Sequence, residues 1–598
     1  MSVQRPIWIN RPAAKAFQVP CRPPPPPANP VVRGLALYYG AQLVSSVNLI
    51  QSYLWSNAGF DKLRNRPELR NIDPRYEPTV IKCTGEPTSG EQGSLHSLFD
   101  EDWTRRKPSA AVYPSILDYH EAYKAGKLTP TAVAEALLPL VRRDAEDVTK
   151  HATAFLDSNV DLALKAAQES TKRYRDGTYL SPLDGVPVAV KDEEDIKGYR
   201  KCLGSKVDYT REDDATSYCV QQWLDAGAVL IGKTTMHELG MDTTNNNPVY
   251  GTPLNPHNER YYCGGSSGGS GYAVSAGLVP VAIGNDGGGS IRIPSTYCGL
   301  YGLKPSHSRI SIRPTSNLAK STGVAGPMAA NMVDLEIAYC VMAQPDVLDP
   351  DSKLFVAPKD QATVQASRTK VLGVCKQWFE RADPPVKHAC ERTLDYLTSK
   401  LDYEIVDISI PMIHEAQLAH AMTILCEIAS GVASVKDLTP ANKILISTGS
   451  KTPGLDFLQA QKLRNLLMRH LSYLYEQHPG MIIVTPTTPN AGWPYHPADL
   501  QYGCSDGNTQ IRNMEYVYLA NFVGCPAITA PVAYLDPAIG SGQIPVGLMG
   551  MGEWCSEDEL IAFGYDCERY LHDVYEGGRV KPGNFVDVME LAKGAGGE

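Results

Sequence analysis

The chain has 598 residues, 43 % of them hydrophobic and 20 % charged, with a formal net charge of −10 and a pI near 5.8. Those proportions fit an ordinary globular protein with a large buried core, as several domains or one enlarged α/β body. An acidic balance without any Lys/Arg-dense block argues against a nucleic-acid partner, and fourteen scattered cysteines with no C-x-x-C pair argue against a disulfide scaffold or zinc site. Reduced, buried thiols in an intracellular protein are the better reading. Met1 to Pro20 has no secretory h-region, and no window is long and apolar enough to span a bilayer.

Residues 1–30 read as an irregular leader holding the run Pro23 to Pro27. From Val31 to Ser56, apolar residues at Val32, Leu35, Tyr39, Leu43, Val47, Ile50 and Leu54 fall at helical spacing. Gln42, Ser45, Ser46, Gln51 and Ser52 lie largely off that line, so one amphipathic helix is predicted. Its aromatics, Tyr38, Tyr39, Tyr53 and Trp55, suit a membrane interface; docking on the body or on a partner subunit is the alternative. Arg64 to Arg106 reads as a long surface strap, closing an N-terminal extension over residues 31–110.

The globular body, 111–598, alternates helices with short apolar strands, the pattern of a layered α/β sheet. Thr129-Pro130 starts one helix and Asp176-Gly177 ends the next. Val186 to Val190 reads as a buried strand ending at Lys191, and Val229 to Gly232 as another. Thr315 to Pro327 reads as loop. Met332 to Met342 and Pro385 to Leu401 read as helices, Val371 to Cys375 and Ile405 to Ile410 as strands. Ile413 to Ser430 and Gly454 to His478 read as helices placed to cover a site.

The chemistry concentrates between Gly264 and Ser295, GGSSGGSGYAVSAGLVPVAIGNDGGGSIRIPS. Consecutive glycines let a backbone turn through positive φ and be approached closely, so several N–H groups can face one point beside a serine hydroxyl. A serine nucleophile with an oxyanion hole needs that arrangement. The spacer from Val274 to Ile283 reads as helix, turn at Pro280 and strand, which lets Ser266 and Ser290 converge. Lys191, at the end of an apolar run, is placed to lose hydration and act as a base; equally, Asp192, Glu193, Glu194 or Asp195 can hold it in an ion pair.

These blocks resemble the amidase signature family of serine hydrolases. Pro182-Leu-Asp-Gly-Val-Pro-Val-Ala-Val-Lys191-Asp192 is similar to its lysine motif, Ala226 to Glu238 to its next block, and Val484 to Pro489, Asn521 to Pro531 and Ile544 to Leu548 to its C-terminal blocks. The resemblance implies an α/β fold with a large central mixed twisted sheet covered by helices on both faces. It implies a catalytic triad of Lys191, Ser266 and Ser290, with Ser290 as nucleophile and Ser266, beside an unusual cis peptide, as the bridge to the lysine. It further implies that Gly287, Gly288, Gly289 and Ser290 offer oxyanion N–H groups, that Gly240 and Met241 line the pocket, and that Ser267, Asp286 and Arg292 hold the loops in shape. No metal or organic cofactor is implied.

Met236 to Met241, Tyr250-Gly-Thr252, Asn255-Pro-His257 and Asp286 to Ser295 look closest to the plant-type fatty acid amide hydrolase branch. That branch implies cleavage of N-acylethanolamine-type lipid amides, a homodimer, and peripheral membrane contact through residues 31–56, in the cytoplasm or on an internal membrane. The alternative within the family is an amidase for short, aryl or xenobiotic amides, or esters, with the N-terminal helix as a dimer arm.

Competing motifs are weaker. Gly264-Gly-Ser266-Ser-Gly268 fits the G-x-S-x-G nucleophile elbow, but only His496 and His572 stand late enough to serve as its base. The glycines match neither phosphate-loop pattern. Ser367 to Lys370 fits S-x-x-K without its companion motifs. His237-Glu238 begins a zinc motif that Met241 breaks.

Overall fold

The computed structural model describes residues 7–19, 29–83, 112–358 and 368–595. Its centre is an eleven-stranded mixed sheet. In spatial order the strands are Glu404–Asp407, Val371–Val374, Ile482–Pro486, Ile544–Met551, Ala527–Leu535, Tyr301–Lys304, Val324–Ala329, Val281–Asp286, Pro187–Lys191, Val229–Thr234 and Phe155–Asp157. Pro187–Lys191 runs parallel to both neighbours, whereas Val281–Asp286 pairs antiparallel with Val324–Ala329. Helices pack against the sheet, so its strands read as continuous apolar runs: every residue of Pro187–Lys191 and Val281–Asp286 is buried. Met332–Met342, buried along its whole length, is one such helix.

Several element boundaries follow from local chemistry. Thr129 accepts the Ala132 N–H at the start of Pro130–Val141, and Gly177, at φ 69°, ends Val160–Asp176. Ile413–Gly431 and Gly454–Gln477 are helices as expected.

Three expectations are corrected. The stretch expected to be loop, Thr315 to Pro327, runs into the strand Val324–Ala329, where Pro327 sits opposite Ile283 in the sheet interior, a position proline seldom holds. The leader is not wholly irregular: Ile7–Ile9 pairs antiparallel with Ile81–Cys83, and the Phe17 N–H donates to His470 Nδ1. Pro23 to Pro27 and the strap beyond Cys83 lie outside the described residues.

The third correction concerns Val31 to Ser56. It forms two helices, α1 (Gly34–Ser46) and α2 (Asn48–Asn57), broken at Val47. Gln51 turns inward and its amide donates to the Val44 and Ser45 carbonyls that the break frees. The buried positions are Leu37, Ala41, Val44, Gln51 and Trp55, none of them on the apolar line read from the sequence, whose Val32, Ile50 and Leu54 are half-buried against a cavity. Leu35, Tyr39 and Leu43 of that line are instead 58, 68 and 56 % exposed, beside Leu49 at 80 % and Tyr53 at 66 %. No helix among the described residues is long and apolar enough to cross a membrane.

Candidate active site

The strands Pro187–Lys191 and Val281–Asp286 lie side by side, and both deliver their last residues to one end of the sheet. Lys191 is fully buried there. Its Nζ donates to Ser266 Oγ at 2.9 Å and to the Asn285 carbonyl at 3.2 Å, and lies 2.9 Å from Glu193 Oε2. The structure thus places this lysine against Ser266 and, at the same time, against one of the acids next to it in sequence. The other acids look elsewhere. Asp192 pairs with Lys233, Asp195 with Lys201, and Glu194, whose carboxyl burial pushes up, accepts from the Asn285 amide.

The peptide between Gly265 and Ser266 is cis, which places the unusual bond directly before Ser266. From Ser267 the chain turns into the helix Gly268–Ser275, then returns along Val281–Asp286. Ser267 ties the two ends together. Its hydroxyl donates to the Asn285 carbonyl at 3.2 Å, and its N–H donates to the Ser290 carbonyl at 3.2 Å. Ser266 and Ser290 thus share one backbone clamp, while the Ser290 hydroxyl makes no hydrogen bond to the described residues.

Asp286 and Arg292 lock the loop between them. Arg292 donates to both carboxylate oxygens of Asp286 at 3.0 Å and to Asn521 Oδ1 at 2.6 Å. Burial alone would push the Asp286 carboxyl up, but the Arg292 guanidinium outweighs it and holds the group well below the usual carboxylate range. Asp286 also accepts the Gly289 N–H at 2.6 Å and the Ile291 N–H at 3.1 Å. This corrects the expectation for Gly289, whose N–H is spent on the carboxylate. Among the described residues, the N–H groups of Gly287, Gly288 and Ser290 have no acceptor and are free to bind one. Glycine is required at 289, where φ is 113° and a Cβ would fall 2.4 Å from Val517.

Gly240, Met241, Gly287, Gly288 and Ser290 line a cavity of about 320 Å³. The size is that of a small-molecule site. Its walls are apolar and come from two sources that no motif marked: Val44, Ile50, Leu54 and Phe60 of the N-terminal extension, and Leu418, Ile424, Leu425, Ile444 and Leu445 of the middle segment. One acid stands among them, Asp242, whose carboxyl burial lifts to about 7. Gly240 comes close to the bridge, since a Cβ there would stand 3.6 Å from Ser266 Oγ.

The rival motifs find no support. The Ser266 hydroxyl meets a lysine rather than a histidine, and His496 bonds within its own turn, accepting the Ala498 N–H. Glu238 is occupied by Thr439 and Asn442, which ties the Gly240 loop to the helix Pro440–Gly449. Ser367 lies outside the described residues, and Lys370 donates to the Leu401 carbonyl.

This architecture is shared with known proteins. The Amidase family model matches residues 135–561. Fatty acid amide hydrolase from Medicago truncatula is 30 % identical over 88 % of this chain and 89 % of its own length. The Arabidopsis thaliana protein of the same name is 30 % identical over 92 % of each. The solved peptide amidase from Stenotrophomonas maltophilia superposes with a TM-score of 0.64 at 25 % identity, covering 79 % of this chain and 99 % of its own. The chain belongs to the amidase family. It is an enzyme that hydrolyses amide bonds, similar in sequence to plant fatty acid amide hydrolases.

Proposed function

We propose that the protein cleaves fatty acid amides of the N-acylethanolamine type to a free fatty acid and an amine, through a Ser–Ser–Lys triad and an acyl-enzyme. The observation that carries this reading is the apolar cavity that ends at Ser290, walled by aliphatic side chains suited to an acyl chain. The names of the plant relatives point the same way.

In the first half-reaction Ser290 Oγ attacks the amide carbonyl carbon. Its proton passes to Ser266 Oγ, whose own proton goes to Lys191. A neutral amine has two N–H bonds and one lone pair. Once Lys191 has given up the N–H it directs at Ser266, the Asn285 carbonyl and Glu193 take its two remaining donors and the lone pair faces the Ser266 hydroxyl. The hydroxyls of Ser266 and Ser290 must close on each other when substrate binds, as catalytic hydrogen bonds often do. The N–H groups of Gly287, Gly288 and Ser290 take the negative charge that develops on the carbonyl oxygen. The tetrahedral intermediate then expels the amine, which receives the proton back from Lys191 through Ser266. Water repeats the sequence on the ester to release the fatty acid.

The exposed apolar face of α1 and α2 supports contact with a lipid surface. No charged residue occurs between Gly34 and Asn57, and the same two helices wall the cavity, so a lipid amide would enter from the bilayer beside them. A second reading, an amidase for short, aryl or xenobiotic amides (or esters) with these helices as a dimer arm, is favoured by Asp242, a polar group inside the cavity. Turnover of a long-chain N-acylethanolamine against a short aryl amide separates the two. The proposal expects kcat/KM to rise with acyl length; higher kcat/KM for the short amide would overturn it.

A further inference from the structure

The helix Ile413–Gly431 reaches into the oxyanion loop with a side chain that the reaction scheme leaves unused. His420 Nε2 lies 2.8 Å from the Gly287 carbonyl oxygen. A carbonyl only accepts, so this nitrogen carries the proton. The other nitrogen, Nδ1, is buried without a hydrogen-bond partner among the described residues, so the ring is neutral. Burial pushes its titration down to about 4; the nearby guanidiniums of Arg464 and Arg292 act in the same direction, against the Gly287 carbonyl and Asp286. The ring is held in place by Tyr518 and Phe522, at centroid distances of 5.9 and 6.2 Å. Ile424, one turn further along the same helix, abuts Gly287.

A peptide unit is planar and trans, so its C=O and N–H point in opposite directions. Fixing the Gly287 carbonyl therefore fixes the direction of the Gly288 N–H. With glycine on both sides, this peptide has no side chain of its own to limit its rotation. The next peptide is fixed by Asp286, which accepts the Gly289 N–H. The loop is thus clamped twice: by a carboxylate that takes an N–H and by an imidazole that gives one. The clamp also explains the close approach, since a Cβ on Gly288 would fall 2.8 Å from His420 Cε1.

We propose that His420 is a positioning residue of the amidase reaction: by donating to the Gly287 carbonyl it turns the Gly288 N–H away from the helix and toward the oxyanion beside Ser290. The proposal rests on the reading of Ser290 as nucleophile.

The test uses the full chain and its His420→Phe, His420→Gln and Ser290→Ala variants. Phe keeps a ring but has no donor; Gln restores an N–H. Four quantities are measured: amide turnover, the labelling rate with a fluorophosphonate, affinity for a long-chain trifluoromethyl ketone, which forms a tetrahedral adduct, and affinity for the free fatty acid. His420→Phe is expected to lower kcat and labelling about 10- to 100-fold, part of what losing a whole oxyanion donor costs, with KM little changed. Ketone affinity should fall with kcat while fatty acid affinity stays, and His420→Gln should recover most of the loss. Wild-type kcat in His420→Phe, equal impairment of the two variants, or equal loss of both ligands would overturn the proposal. If Ser290→Ala is labelled as fast as wild type, the underlying site assignment fails; if it is silent while His420→Phe labels at the wild-type rate, this inference alone fails.

Discussion

The loops that hold Ser266 and Ser290 and the helices that wall the cavity are built on different physics. In the loops buried, paired polar groups hold the shape and leave the Gly287, Gly288 and Ser290 N–H groups free among the described residues: Asp286 accepts from the Arg292 side chain and three backbone N–H groups, Ser267 bonds across to Asn285 and Ser290, and His420 and Asp286 clamp successive peptides. Around α1, α2 and Pro440–Gly449 the contacts are mostly apolar and non-directional, and several large side chains remain in solvent. Directional bonding fixes atoms to within a few tenths of an ångström, as an oxyanion site demands. Apolar packing fixes only volume and shape, which tolerates substitution and lets specificity vary without touching the chemistry.

Changes in the two regions should therefore differ in kind. Within the loops, Lys191→Met should lower kcat by about 10⁴-fold in a chain that still folds, because it removes the proposed base and leaves a methionine of similar length, with a smaller drop in Tm from the lost pair with the partly exposed Glu193. Retention of more than about a tenth of the activity would remove Lys191 from the mechanism. Arg292→Met leaves the Asp286 carboxylate buried without its cation, at a cost of about 3–5 kcal/mol, so thermal unfolding should show a large drop in Tm together with loss of turnover. An unshifted Tm would mean the pair is not what holds the loop.

In the walls the effects should be selective rather than global. Ala421→Trp, which fills the cavity beside Ile424 and Leu425, should reduce kcat/KM for a long-chain amide about 10-fold and spare a short one. Equal loss for both would place the acyl chain elsewhere. Leu43→Glu with Tyr53→Glu should abolish flotation with anionic vesicles while leaving turnover of a dispersed short amide within about 2-fold. Unchanged flotation would assign that face to a partner protein instead.

The smallest effect concerns pH. Burial raises Asp334 to about 8 and Glu568 to about 7. Their neutral forms favour the folded state, so the stability they contribute is full below the unfolded value near 4 and is lost as pH rises through 7–8. His420, depressed to about 4, contributes in the opposite sense: its share is present above the unfolded value near 6.5 and is lost as pH falls through 4. Asp334→Asn should flatten the decline of Tm between about pH 4 and 8, and an unchanged slope would contradict the assignment.

How much of each region the sequence reveals follows from the same division. The Gly-Ser loops, the strand carrying Lys191 and the helix ends at Thr129 and Gly177 are legible because their causes are local: a run of glycines, an apolar run before a charge, a cap. Ile413–Gly431 is legible as a covering helix from its periodicity. His420 on that helix is not, since its partner lies 133 positions away and leaves no pattern in composition or spacing. The diversion of the Gly289 N–H to Asp286 is likewise set by how the loop folds back. The break at Val47 is not legible because α1 and α2 are apolar on more than one side, so periodicity alone mixes exposed positions, Leu35, Tyr39 and Leu43, with cavity-lining ones, Ile50 and Leu54. Proline at 327 concealed a central strand.

The account stands on Ser290 being the atom that takes the acyl group. Peptide mapping by mass spectrometry after reaction with a fluorophosphonate tests this most directly. The adduct should appear on the peptide containing Ser290, vanish in Ser290→Ala, and form far more slowly in Ser266→Ala and Lys191→Met. An adduct on Ser266 that persists in Ser290→Ala would contradict the assignment and restore the elbow reading of the first glycine cluster.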